Sequence, residues 1–146
     1  MSNPDQSPHR VDVLDWQGEG FKPLVKSGDW IVALMNWEQR FDVGGIGDVE
    51  RHNETDEVFI LSAGRGALFV ATNGEVQLYD MQPGRVYNVT PGTWHSVIGT
   101  RETTWIIVES LGTDATNTDY RQLTPSERAS LSAQFPDWVG HRSLEA

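Results

Sequence analysis

Apolar residues along this chain fall in short runs punctuated by turn residues. Trp30-Ile31-Val32-Ala33-Leu34-Met35-Asn36-Trp37 is too short and too closely bounded by turns to be a helix, and it reads as a buried strand. Gly44-Gly45-Ile46-Gly47 breaks the chain, and Val58-Phe59-Ile60-Leu61 restarts it. Ala67-Leu68-Phe69-Val70-Ala71 and Val76-Gln77-Leu78-Tyr79 flank Asn73-Gly74, a hairpin signal because both central residues of a type I′ turn need positive φ. Pro83-Gly84 leads into Val86-Tyr87-Asn88-Val89, Pro91-Gly92 into His95-Ser96-Val97-Ile98, and Thr103 to Val108 forms a last apolar strand. Many short strands with regular turns predict an all-β sandwich or small barrel. The tail changes character: Thr124-Pro125-Ser126-Glu127 carries a capping residue, a first-turn proline and a capping-box glutamate, which predicts a short helix to about Phe135, stopped by Pro136. It is expected to cover one end or edge of the barrel.

Composition narrows the picture. One domain is expected of 146 residues, organised as an N-terminal arm and first strands over 1–27, a barrel over 28–110 and an extension with the helix over 111–146. Residues 1–10, polar with two prolines, read as a mobile arm, and His9 and His141 in the tails are assigned no role. A net charge of −10 without a basic run argues against a nucleic-acid partner. No apolar run approaches the roughly 18 residues of a membrane span, and no signal peptide is evident. The absence of cysteine removes disulfides and thiolate chemistry and fits a cytoplasmic protein.

The candidate chemistry lies in Glu50-Arg51-His52-Asn53-Glu54-Thr55-Asp56-Glu57 and in His95 after the Pro91-Gly92 turn. Side chains two apart on a strand share a face, so Glu50 and His52 project together. Glu57, at the entrance of the next strand, returns to them if that strand pairs back against the first, and His95 closes a site of nitrogen and oxygen donors. Glu54 offers an alternative partner for His52. A histidine at a strand end is otherwise an ordinary hydrogen-bonded polar group, and glutamate-rich turns are usually solvated. No Gly-x-Ser-x-Gly elbow supports a hydrolase, and the glycine clusters lack the strand-to-helix setting of a phosphate loop.

With these strands and polar positions the chain resembles the cupin superfamily. That family's first motif is Gly, five residues, His-x-His, three or four residues, Glu, six residues, Gly. The chain has Gly44, five residues, Glu50-x-His52, four residues, Glu57, six residues, Gly64. The second motif is Gly, five residues, Pro-x-Gly, two residues, His, three residues, Asn, against Gly84, five residues, Thr90-x-Gly92, two residues, His95, three residues, Gly99. The resemblance implies a double-stranded β-helix, or jelly-roll, barrel holding a divalent metal. It places His52, Glu57 and His95 at ligand positions, with Glu50 where the family has a histidine. Extra oxygen favours Mn²⁺ or Fe²⁺, with Zn²⁺ also compatible.

Two functional readings follow. In one, the protein is a metal-dependent lyase, isomerase or oxygenase acting on a small oxygen-bearing molecule, and Tyr87, which shares the parity of Val89 and by resemblance faces the interior, is a candidate catalytic hydroxyl. In the other, it is a non-catalytic binder of a small ligand with a degenerate or empty metal site. Trp94 and Trp37 are candidates for the mouth, with core or dimer contacts as the alternative. Val58 to Leu61 and Trp105 to Val108 are apolar on both strand faces, so an outer face needs a cover. The helix is expected to supply part of it and a partner barrel more, in a two-fold homodimer.

Overall fold

The computed structural model of the protein describes residues 9–140. The mobile arm expected at the start falls, over residues 1–8, outside the described residues, as does His141; His9 is exposed. Ten strands and one α-helix follow in order: β1 (Gly20–Ser27), β2 (Trp30–Asn36), β3 (Asp48–His52), β4 (Glu57–Ala63), β5 (Gly66–Thr72), β6 (Glu75–Asp80), β7 (Val86–Val89), β8 (Trp94–Gly99), β9 (Thr104–Ser110), β10 (Thr118–Gln122) and α1 (Pro125–Ser132). Two antiparallel sheets face each other, ordered β1-β2-β9-β4-β7 and β10-β3-β8-β5-β6. β1 and β10, on either side of residues 28–110, each form one sheet edge. Among the described residues, no helix is long and apolar enough to cross a membrane.

Strand alternation divides the side chains as the pleat requires. On β4, Phe59 and Leu61 are buried while Val58 and Ile60 are half-buried on the other face. Phe59, Leu61, Leu68, Val97, Trp105 and Ile107 fill the space between the sheets, with Phe41 set edge-on to Trp105 at 5.4 Å. A second cluster lies on the outer side of the second sheet, where Phe69 and Ile98 pack with Leu131 of α1. Asn73 and Gly74 have φ of 53° and 83°, the conformation the hairpin between β5 and β6 demands.

The helix begins as its sequence dictates. The Glu127 backbone N–H donates to Thr124 Oγ1, and Glu127 returns its carboxylate to the Thr124 N–H. Ser130 and Gln134 hydrogen-bond the exposed backbone of β6 at Val76 and Leu78, which satisfies an edge that would otherwise be open. This corrects one expectation: α1 covers the second sheet, whereas the apolar outer sides of β4 and β9 belong to the first.

One further expectation changes, and one departure from the family pattern gains a cause. β4 does not pair back against β3; it lies between β9 and β7 in the opposite sheet. Gly99, where the cupin pattern has Asn, has a local cause: a Cβ there would stand 2.7 Å from the Trp105 ring.

Candidate metal centre

Three strands from both sheets converge on one point. β3 contributes Glu50 and His52 on the same face, and β8 places His95 directly opposite Glu50 in register. β4 brings Glu57 from the facing sheet. One donor atom from each of the four residues lies within 4.8 Å of all the others, a grouping that could hold a metal ion. His52, Glu57 and His95 are buried, and the Glu50 side chain is 29% exposed. Glu54 is outside this group; its carboxylate accepts from Asn117 at 3.4 Å.

Both imidazoles are held from behind. His95 Nδ1 lies 2.8 Å from the Thr93 carbonyl, and His52 Nδ1 lies 2.9 Å from Thr118 Oγ1 on β10. A carbonyl only accepts, so His95 Nδ1 carries a proton and its Nε2 turns toward Glu57 Oε1, 2.9 Å away. His52 Nε2 meets the same oxygen at 3.2 Å. Glu50 Oε1 stands 3.9 Å from both Nε2 atoms. An imidazole whose Nδ1 is already protonated can face a carboxylate in two ways: as imidazolium, or with a cation between the two groups. Backing hydrogen bonds of this kind orient metal-bound histidines, so the donor set and its support fit a divalent ion.

The electrostatics follow from crowding. Burial alone would raise Glu57, but hydrogen bonds from both imidazoles hold it at about 2. Burial, then the Glu57 charge, raises Glu50. Burial disfavours the charged forms of His52 and His95, yet their hydrogen bonds to Glu57 leave both raised.

The four residues sit in a cavity of about 290 Å³. Its apolar wall includes Met35, Phe59, Val97 and Ile107. Glu109, opposite Glu57 in the β4–β9 register, adds a further carboxylate that burial, then Glu57, pushes up to about 8. Tyr120, opposite Glu50 on β10, and Arg40, from the one-turn helix Gln39–Phe41, also line the cavity. Among the described residues, Arg40 is its single Lys or Arg. Its Nε donates to Glu38 and its guanidinium lies 4.6 Å from the Phe41 ring centre.

Sequence reasoning missed these three. Glu109 shares the inward parity of Trp105 and Ile107 and was legible had the strand been carried one residue past Val108. Tyr120 lies on a strand without an apolar face, and Arg40 in a turn, so neither carried a signal. Tyr87, the expected catalytic hydroxyl, is not brought to the site. It packs against the core, its hydroxyl accepts the Gln82 N–H at 2.9 Å, and it does not line the cavity. Trp37 and Trp94 pack against the two apolar clusters and do not line it either.

No protein-family model matches the chain, and no curated protein matches its sequence. Solved structures do match. A conserved protein with a double-stranded β-helix domain from Klebsiella pneumoniae aligns at TM-score 0.50 and 16% identity, over 84% of this chain and 96% of that one. A variant of Streptomyces PAC13 crystallised with uridine aligns at 0.51 and 9%, over 80% and 96%. A cupin-2 domain protein from Shewanella frigidimarina aligns at 0.47 and 23%, over 65% and 84%. The architecture is therefore a double-stranded β-helix, the fold that the motif spacing implied.

Proposed function

We propose that this small barrel of the cupin fold binds one divalent transition metal, Mn²⁺, Fe²⁺ or Zn²⁺, through His52, Glu57, His95 and Glu50, and is an enzyme acting on a small oxygen-bearing molecule in the adjoining cavity. The reading has it working in the cytoplasm as a homodimer. The observation that carries it is the convergence of four donor atoms within 4.8 Å, each imidazole oriented by a second hydrogen bond. Two carboxylates and two neutral imidazoles leave a bound dication formally neutral, and the oxygen-rich set suits the harder ions.

When bound, such an ion supplies Lewis acidity toward a carbonyl or carboxylate oxygen, the common requirement of lyase, isomerase and oxygenase chemistry. The chain's own groups do the rest. The apolar wall around Phe59 and Ile107 limits water on one side of the substrate. Glu109 and Tyr120 line the same space and are the side chains assigned to move a proton there. Arg40 offers a planar donor fork to an anionic end of the substrate.

A second reading has a specific observation behind it. Glu57 Oε1 contacts both imidazoles directly, so the cluster also satisfies itself as an ion pair and would serve a metal-free ligand pocket. Elemental analysis of protein purified without chelator, then titrated with Mn²⁺, Fe²⁺ and Zn²⁺, separates the two. Binding near one ion per chain is expected, and less than about a tenth after titration favours the metal-free pocket.

A further inference from the structure

The edge strand β10 follows residues 28–110, which carry the motif spacing, yet it stands against both β3 residues of the candidate centre. In the antiparallel register Thr118 is opposite His52 and Tyr120 is opposite Glu50. Residues two apart on a strand share a face, so Thr118 and Tyr120 turn inward together, and both line the cavity. Asp119 and Arg121 turn the other way and pin the strand from outside. Arg51 Nη2 stands 2.9 Å from the Asp119 carboxylate, and the Asn53 amide donates to the same oxygen at 3.1 Å. Arg121 donates two hydrogen bonds to Glu127 of α1.

The two imidazoles are backed in different ways. His95 Nδ1 meets the carbonyl of Thr93, a backbone acceptor two residues away that no side-chain replacement removes. His52 Nδ1 meets a side chain 66 residues further along, Thr118 Oγ1 at 2.9 Å, and both residues are buried. A hydroxyl accepts or donates, so it serves His52 with its proton on either nitrogen. A neutral imidazole that gives its Nε2 lone pair to a cation keeps its proton on Nδ1, and the hydroxyl must then accept. Without that acceptor the Nδ1–H would be a buried donor with no partner on β10, which opposes the ligating tautomer.

We propose that Thr118 is a positioning residue of the metal centre: its hydroxyl accepts from His52 Nδ1, and so fixes the tautomer and the aim of that ligand from the edge strand. The inference rests on the metal reading and deepens it. It makes β10 a working part of the site, with its outward residues holding the strand in place and its inward hydroxyl holding the ligand.

The test uses the full chain and zinc alone, a diamagnetic ion that leaves the ring nitrogens visible by NMR. In the zinc-loaded wild type both His52 and His95 should show an Nδ1–H signal protected from exchange. Thr118→Val removes the hydroxyl and keeps a branched side chain suited to a strand. In that variant the His52 signal should be lost while the His95 signal stays, and the zinc dissociation constant should rise at least about tenfold with unchanged circular dichroism. Thr118→Ser keeps a hydroxyl and should recover both the signal and most of the affinity. A His52 with its proton on Nε2 in the zinc-loaded wild type overturns the inference without any variant, so it stays open to refutation even if Thr118→Val does not fold. Wild-type affinity in Thr118→Val, or a loss that Thr118→Ser does not recover, overturns it and leaves the metal reading standing. A wild type that takes up no zinc overturns it as well; one that also refuses Mn²⁺ and Fe²⁺ overturns the metal reading with it.

Discussion

Glu57 and His95 meet across the barrel, Oε1 to Nε2 at 2.9 Å, although they belong to opposite sheets. The contact joins the two layers at the point where the proposed ligands converge.

The ligand assignment makes unequal demands on the four residues. His95→Ala removes a donor whose side chain is 1% exposed and leaves Glu57 with one imidazole, so stoichiometric metal should be lost. Glu50→Gln keeps an oxygen at 3.9 Å from both imidazoles and should weaken binding by about tenfold rather than abolish it. Metal per chain by elemental analysis after dialysis reads both, and full occupancy in His95→Ala would remove that residue from the set.

Glu109 and Tyr87 should now behave oppositely. Glu109→Gln preserves shape while changing a group that lines the cavity, and once a substrate is found it should lower turnover by on the order of a hundredfold with little change in metal content. Tyr87→Phe deletes only the acceptor for the Gln82 N–H, which should cost about 1 kcal/mol of stability and leave turnover intact. Steady-state kinetics and urea unfolding separate the two, and a turnover defect in Tyr87→Phe would contradict the placement of its hydroxyl.

Arg40 should govern affinity for anionic substrates. Among the described residues it is the single Lys or Arg in the cavity, so Arg40→Gln is expected to raise KM for a carboxylate-bearing substrate about tenfold and leave kcat nearly unchanged. A neutral amide analogue should not distinguish the variant from wild type. Equal losses for both would assign Arg40 a structural role.

The helix anchor should show in acid. Arg121 donates two hydrogen bonds, at 2.7 and 2.9 Å, to Glu127, whose side chain is 1% exposed; they hold its carboxyl at about 2. Because the folded value is depressed, its stabilisation is complete above the ordinary carboxylate value and is lost as pH falls from about 4.5 toward 2. Arg121→Ala should cost about 3 kcal/mol at neutral pH by stranding a buried charge, and that cost should shrink across the same acidic window. Denaturant unfolding at pH 7 and pH 3 checks the sign.

Gly99→Asn restores the residue of the family pattern and should still destabilise the barrel. The added Cβ would meet the Trp105 ring at 2.7 Å and Thr103 Cβ at 3.1 Å, and overpacking of this kind costs about 1–3 kcal/mol. Thermal unfolding reads it directly; an unchanged melting temperature would mean that Trp105 moves freely.

Much of this protein was legible in its sequence, because the decisive signals are local. Strand alternation follows from the pleat, Asn73-Gly74 from the positive φ of its turn, and the start of α1 from a capping box contained in four consecutive residues. The spacing of Glu50, His52, Glu57 and His95 carried the candidate site because each stands at a fixed offset from a turn. What the sequence could not supply was the identity of each strand's neighbour, since backbone pairing is nearly indifferent to the side chains that accompany it. Adjacency in the chain suggested β3 beside β4, whereas the barrel sets them in opposite sheets and makes β8 the neighbour of β3 and β9 the neighbour of β4. That arrangement brings Glu109 to Glu57, places Tyr120 beside Glu50, leaves Tyr87 on the core with its hydroxyl on Gln82, and sends α1 to the second sheet while the first keeps an uncovered apolar face. These are long-range consequences of how two twisted sheets close on one another, and no window of the chain contains them.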